Sequence, residues 1–323
     1  ALSIYFLALF VGKIAVFQGA LLATFLSFFT LRYLGHSFFN PKDIPFSAGY
    51  MISVYYLYKT LQELPAPNKW TFAGLTMGIA LCIGVRIGGI LVIAYLGMFL
   101  GLYFLFKYGL AGLVKQPQKL KKYAIALTVP SLLGLAISLL FWPYGLVNPF
   151  KHIPAAFKAF DQFQYAIKVL FSGGMVWSKE IPLNYILTLM VITVPIFSLV
   201  GILLFLVFSR GILKRYNPWA IFLAAFAFAF PIIYVVIKNS VLYDGWRHFL
   251  FTYLPAVVLI TLGWKYLIDK FQSKKVVGYA IWGLLALTSL DSIIYLMRNS
   301  TFPYTYFNPL SGGINGAHGE YEL

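Results

Sequence analysis

Residues 218–237 read PWAIFLAAFAFAFPIIYVVI, twenty positions without one charged side chain. A helix of about 20 apolar residues matches the hydrocarbon core of a bilayer, where every backbone polar group must be satisfied inside the segment. Such runs recur along the chain, and the repetition restricts it to an all-α, polytopic transmembrane bundle. They read as 1–11, 14–30, 47–62, 71–84, 89–106, 124–142, 185–208, 218–237, 249–264 and 276–297, about ten segments. None alternates with the period of two that a membrane β-barrel requires. Composition agrees: 11% of residues are charged, against about 25% in soluble domains. Between 71–84 and 89–106 lies "GVRIGG" (84–89), whose glycines favour a break over one very long helix.

The connections sort into two sets by charge. Lys13, Lys59 and the stretches 63–70, 107–123, 209–217 and 265–275 hold 15 Lys/Arg against two acids, Glu63 and Asp269. By the positive-inside rule this set is cytoplasmic. The other set, 31–46, 84–88, 143–184, 238–248 and 298–323, holds the remaining 10 Lys/Arg, all four histidines and most acids. It is assigned to the outer face. Residues 1–298 then form the membrane domain, and 299–323 an outer C-terminal segment. The outer loop 143–184 contains "FKAFDQFQYAIKVLF", whose apolar spacing, with Lys158, Asp161 and Lys168 between, predicts an amphipathic helix on the interface.

The net charge of +16 sits on short connectors rather than on a soluble basic domain, so no nucleic-acid partner is expected. The single cysteine, Cys82, excludes an intrachain disulfide. The cytoplasmic loops show no glycine pattern for a nucleotide. Ala1 already lies inside an apolar segment with no signal-peptide pattern, so further residues are expected upstream.

Nearly every residue capable of chemistry lies in the outer set. "GHSFFNPKDIPF" (35–46) brings His36, Asn40, Lys42 and Asp43 to the end of an apolar run, with Pro41 and Pro45 fixing the loop. Asp43 reads either as a helix N-cap or as a carboxylate placed to bind a metal or a substrate. Arg86, among apolar residues, reads as a phosphate clamp or as an arginine snorkelling to the headgroups. "YDGWRHF" (243–249) gathers Tyr243, Asp244, Trp246, Arg247 and His248 before a helix, the pattern of an anion site. Asp244 with Arg247 also reads as a local ion pair, and Trp246 with Tyr243 as an aromatic belt. Asp291 is expected to pair with a basic residue of a neighbouring helix.

With these stretches in order, the chain resembles a bacterial GT-C glycosyltransferase of the protein O-mannosyltransferase-like kind. The resemblance rests on "LRYLGHSFFNPKDIPF", "GLTMGIALCIGVRIGG", "WPYGLVNP", "LYDGWRHFLF" and the terminal "YFNPLSGGINGAHGEYEL". It implies transfer of a sugar from a polyprenyl-phosphate carrier to an acceptor, protein or glycan, at the periplasmic face of a bacterial inner membrane. By that resemblance Asp43 shapes the active site or holds a divalent cation, and no other cofactor is implied. Arg86 suits the carrier phosphate, Arg247 and His248 face the leaving group, and Lys42, His36, Asn40, Asp244 and Trp246 line the substrate. The superfamily's catalytic base belongs to a first outer loop that would precede Ala1. The alternatives are a catalytically inactive accessory subunit of a larger membrane complex, and a lipid or sugar-lipid transporter.

Overall fold

A computed structural model describes residues 1–161 and 166–322. Among them the chain is helical apart from one antiparallel hairpin, Lys168–Phe171 with Gly174–Trp177. Six helices are long and apolar enough to cross a membrane, or seven when the bent pair Tyr185–Thr193 and Ile196–Val207 is counted as one span. The chain is an all-α integral membrane protein with fewer such helices than the sequence predicts. Three differences account for this. Segments 1–11 and 14–30 are the two arms of one element, Leu2–Phe28, which is counted once although it reverses within itself; segment 47–62 lies in the helix Asp43–Glu63, diluted by Ser, Tyr, Thr and Gln; and 71–84 lies in Lys69–Val85, only 17 residues long.

The chain groups into two compact units, Ala1–Phe6 with Ile44–Phe163, and Leu7–Asp43 with Gln164–Leu323. In the first, helices approach through small residues, the usual means of close packing where lipid removes the hydrophobic drive. A Cβ on Gly134 would lie 2.6 Å from Ile79 Cγ2, and one on Gly78 would lie 2.5 Å from Ser53 Oγ. The break expected at "GVRIGG" is present. Arg86 is extended (φ −147°, ψ 135°) after Lys69–Val85, and a 3-10 turn, Ile87–Ile90, leads into Leu91–Tyr108.

In the second unit the chain reverses at Ala15 and Val16, the latter with φ 54°. A Cβ on Gly12 would lie 3.6 Å from Ala20 Cβ, and one on Gly19 would lie 3.2 Å from Val11 Cγ1. Eight residues of continuous helix separate their ends by about 12 Å, so the element is a hairpin. The turn expected at Lys13 is real but displaced toward Val16.

The helix Leu250–Lys270 is the axis of this unit and is buried at every position from Leu250 to Lys265. Ile196–Val207 crosses it backbone to backbone: a Cβ on Gly263 would run into the Gly201 carbonyl. Pro195, which cannot donate to the helical ladder, produces the 114° bend after Thr193. The carbonyls freed there are taken by Asn308. Its Nδ2 donates to Val191 O (2.7 Å) and Val194 O (2.8 Å), and its backbone N–H to Ile192 O (2.8 Å). Non-helical backbone at this depth is tolerable because it is paired in this way.

The expected amphipathic helix over 157–171 is corrected. The helix Pro149–Asp161 ends first, and Lys168–Phe171 is a strand turned back by Ser172 and Gly173, at φ 51° and 75°. Residues 162–165 and the side chain of Asp161 lie outside the described part.

Candidate functional site

Two groups of connectors mark the two ends of Leu250–Lys270. At its C-terminal end Asp269 receives Arg215 Nη2 (2.6 Å) and Lys265 Nζ (2.5 Å), so the basic connectors 209–217 and 265–275 meet there. At its N-terminal end the segments 31–43, 166–184, 238–249 and 299–322 meet. For these connectors of the second unit the separation agrees with their sorting by charge.

The candidate site is built at the second of these ends. Helix Leu31–Phe39 stops at Asn40, and Pro41 starts a tight turn. Asn40, not Asp43, caps the next helix: its Oδ1 accepts from Asp43 N (2.8 Å) and Lys42 N (3.2 Å). Its amide then donates to Asp43 Oδ2 at 2.5 Å. The N-cap reading of Asp43 is thereby corrected, because Asp43 occupies the first helical turn and its carboxylate is released for another partner. That partner is Arg247, whose Nε lies 3.3 Å from Asp43 Oδ2. Arg247 also reaches Asp244, Nη1 to Oδ2, at 2.9 Å, so the expected local pair exists. Asp244 and Gly245 are both left-handed, at φ 54° and 62°. Such backbone is costly for a non-glycine residue and gathers at functional sites.

The remaining expected residues divide. His36 is buried between Phe39 and Tyr304, ring centroids 5.2 and 5.9 Å away. His248 meets Tyr243 edge to face at 4.9 Å. Lys42 is exposed, and its backbone alone serves the turn. Trp246 lies in the core and not in an aromatic belt: it is 1% exposed, and its Nε1 donates to Thr193 Oγ1 at 2.7 Å. Arg86 belongs to the other unit, where its guanidinium stands 5.9 Å from the Phe46 ring centre. Asp291 accepts from the Tyr306 hydroxyl, not from a cation (2.5 Å). A divalent cation at Asp43 does not fit. Its carboxylate already faces a guanidinium, and no group of three or more His, Cys, Asp or Glu gathers to hold a metal among the described residues.

Two residues of the cluster, Glu322 and Arg32, carry no local sequence signal. Glu322 Oε2 accepts from Tyr185 OH (3.1 Å) and Gly245 N (3.2 Å), and burial raises its carboxyl above the usual range. Arg32 is buried with its guanidinium 4.8 Å from the Phe307 ring centre, and its Nε and Nη2 have no hydrogen-bond partner. Burial lowers its pKa to about 10.

Burial, reinforced by Arg32 and Arg247 and only partly opposed by Asp43 and Asp244, lowers the pKa of His36 to about 4. The folded chain therefore keeps His36 neutral where the unfolded chain, with a pKa of about 6.5, takes up a proton. Stability is unaffected by this group above pH 6.5 and falls as pH drops from about 6.5 to about 4, by about 3 kcal/mol in total. Thermal midpoints of the wild type and of His36→Gln in the same detergent should diverge above pH 6.5 by a constant offset. Below it the wild type should lose stability more steeply. Parallel curves would show that His36 does not carry this dependence.

No protein-family model matches the chain, and neither does a curated protein or a solved structure.

Proposed function

We propose that the chain is a membrane glycosyltransferase that moves a sugar from a polyprenyl-phosphate carrier to an acceptor hydroxyl at the periplasmic face of a bacterial inner membrane. The observation that carries this reading is the meeting of four distant segments around Asp43, Arg247, Asp244 and Arg32 at one end of the axial helix. A transporter or a purely structural bundle does not need a dense group of charges on strained backbone there. In this reaction the acceptor oxygen bonds to the anomeric carbon, and the bond from that carbon to the phosphate oxygen breaks. The electron pair leaves on polyprenyl phosphate, and the hydroxyl proton passes to a general base. Arg247, held by two carboxylates, is placed to stabilise the departing phosphate.

One observation favours a second reading, an inactive relative serving as an accessory subunit: Asp43 Oδ2 is engaged by both Asn40 and Arg247. Reconstitution in proteoliposomes with a radiolabelled polyprenyl-phosphate sugar separates the two. The first reading expects label in an acceptor with release of polyprenyl phosphate, reduced about 100-fold or more in Arg247→Lys. Wild type that cleaves no such donor would establish the accessory reading, and carrier movement across the bilayer without cleavage would make the chain a transporter.

A further inference from the structure

Arg32 is the second residue of helix Leu31–Phe39 and is only 9% exposed. One face of its guanidinium lies against Phe307. Its unpartnered atoms, Nε and Nη2, are not an arbitrary pair. Their N–H bonds point the same way from one edge of the guanidinium, the edge that receives two oxygens of a carboxylate or phosphate side by side. A guanidinium buried without such a partner is expensive, and a ring contact replaces little of the lost hydration.

The neighbouring carboxylates do not supply the missing partner. Asp43 and Asp244 are drawn to Arg247. Glu322 Oε2 is held by the Tyr185 hydroxyl and the Gly245 N–H, and it makes no ion pair with Arg32. On the Nη1 side stands Gly245, where an added Cβ would make ordinary contact at 4.0 Å from Nη1. Both Nε and Nη2 are shut off from solvent, and an entering anion must shift a neighbouring side chain.

We infer that Arg32 is an anion-binding residue of the cluster beside Arg247, taking two oxygens of a phosphate monoester on its Nε–Nη2 edge while Phe307 holds the plane of the guanidinium. The inference deepens the proposed function and rests on that reading for one point only, that the phosphate is carried by a polyprenyl lipid. Glu322 is then a competing acid, held beside the site by neutral donors, and its removal should strengthen binding.

The test uses the chain in phosphatidylcholine nanodiscs, titrated with inorganic phosphate and, separately, prepared with polyprenyl monophosphate. Binding is read from the thermal midpoint. Wild type should be raised by the lipid phosphate. Arg32→Lys keeps the charge but loses the two-donor edge, and should weaken binding about tenfold or more. Glu322→Gln should tighten it. An equal response to inorganic phosphate would identify a free anion as the source and keep the site. Wild-type affinity in Arg32→Lys, or no response of wild type to either probe, would overturn the inference. Arg32→Met removes charge and edge together, and Arg32→Lys carries the test if Arg32→Met does not fold. Binding lost in Arg32→Lys while wild type transfers no sugar would leave the site and remove glycosyl transfer. Transfer undiminished in Arg32→Lys would do the reverse.

Discussion

Arg247→Met is expected to destabilise the chain by about 3 kcal/mol, because it strips a guanidinium counter-charge from a buried carboxylate. The side chain of Asp43 is 4% exposed and that of Arg247 is 34% exposed. The figure therefore belongs at the low end of the range for broken buried pairs, since solvent screens part of the interaction on the arginine side. Asn40 still donates to Asp43 in the variant, but a neutral amide replaces a guanidinium poorly. The double variant Asp43→Asn with Arg247→Met should recover about half of the loss, because it removes the charge that the first substitution stranded. Arg247→Lys should cost less than Arg247→Met while failing to span both Asp43 and Asp244. Thermal or denaturant unfolding in one detergent measures these three variants beside Asp43→Asn and the wild type. Additive losses in the double variant would show that Asp43 and Arg247 do not act as a pair.

Trp246→Ala carries the largest expected loss, about 4 kcal/mol, from truncation of a fully buried indole. The ring packs 5.8 Å from Tyr253, and Nε1 donates to Thr193 Oγ1, in the last turn before the Pro195 bend. Trp246→Phe fills much of the volume and should cost about 1–2 kcal/mol, mostly the lost hydrogen bond and residual space. A substrate-contacting Trp246 would behave in the opposite way: Trp246→Phe would leave stability unchanged and raise KM. The stability of the two variants, set beside KM in the reconstituted assay, decides between these.

Much of the membrane architecture is legible from residues alone. Glycines around Arg86 signal a break, and the structure has one. Lys/Arg sorting separates loops that do meet at opposite ends of Leu250–Lys270. The spacing of Asp244 and Arg247 announces a local pair. What escapes the sequence is set by long-range packing. Asn40 and Asp43 are equally good capping residues, and the turn at Pro41 decides between them. An indole at a membrane interface and an indole in a core read alike, so the burial of Trp246 is not legible. Arg32 lies beside Leu31 without a flanking pattern, and its significance arises from Phe307, 275 positions away in the chain. The Glu322 contacts to Tyr185 and Gly245 are likewise between segments far apart in sequence. In 168–171 helical spacing of apolar residues is overridden by the Ser172–Gly173 turn, which pairs Lys168–Phe171 with Gly174–Trp177.

The account stands on the gathering of the site residues on one side of the membrane, and sidedness labelling addresses this directly. Single cysteines replace the exposed residues in Lys42→Cys and Lys238→Cys, near the site, and in Lys214→Cys and Lys274→Cys, near Asp269. The native Cys82 is buried and contributes little background. A membrane-impermeant maleimide applied to intact cells should label the first two chains and reach the second two only after permeabilisation. Labelling of Lys42→Cys and Lys238→Cys from opposite sides, or of Lys42→Cys together with Lys274→Cys from one side, would contradict it.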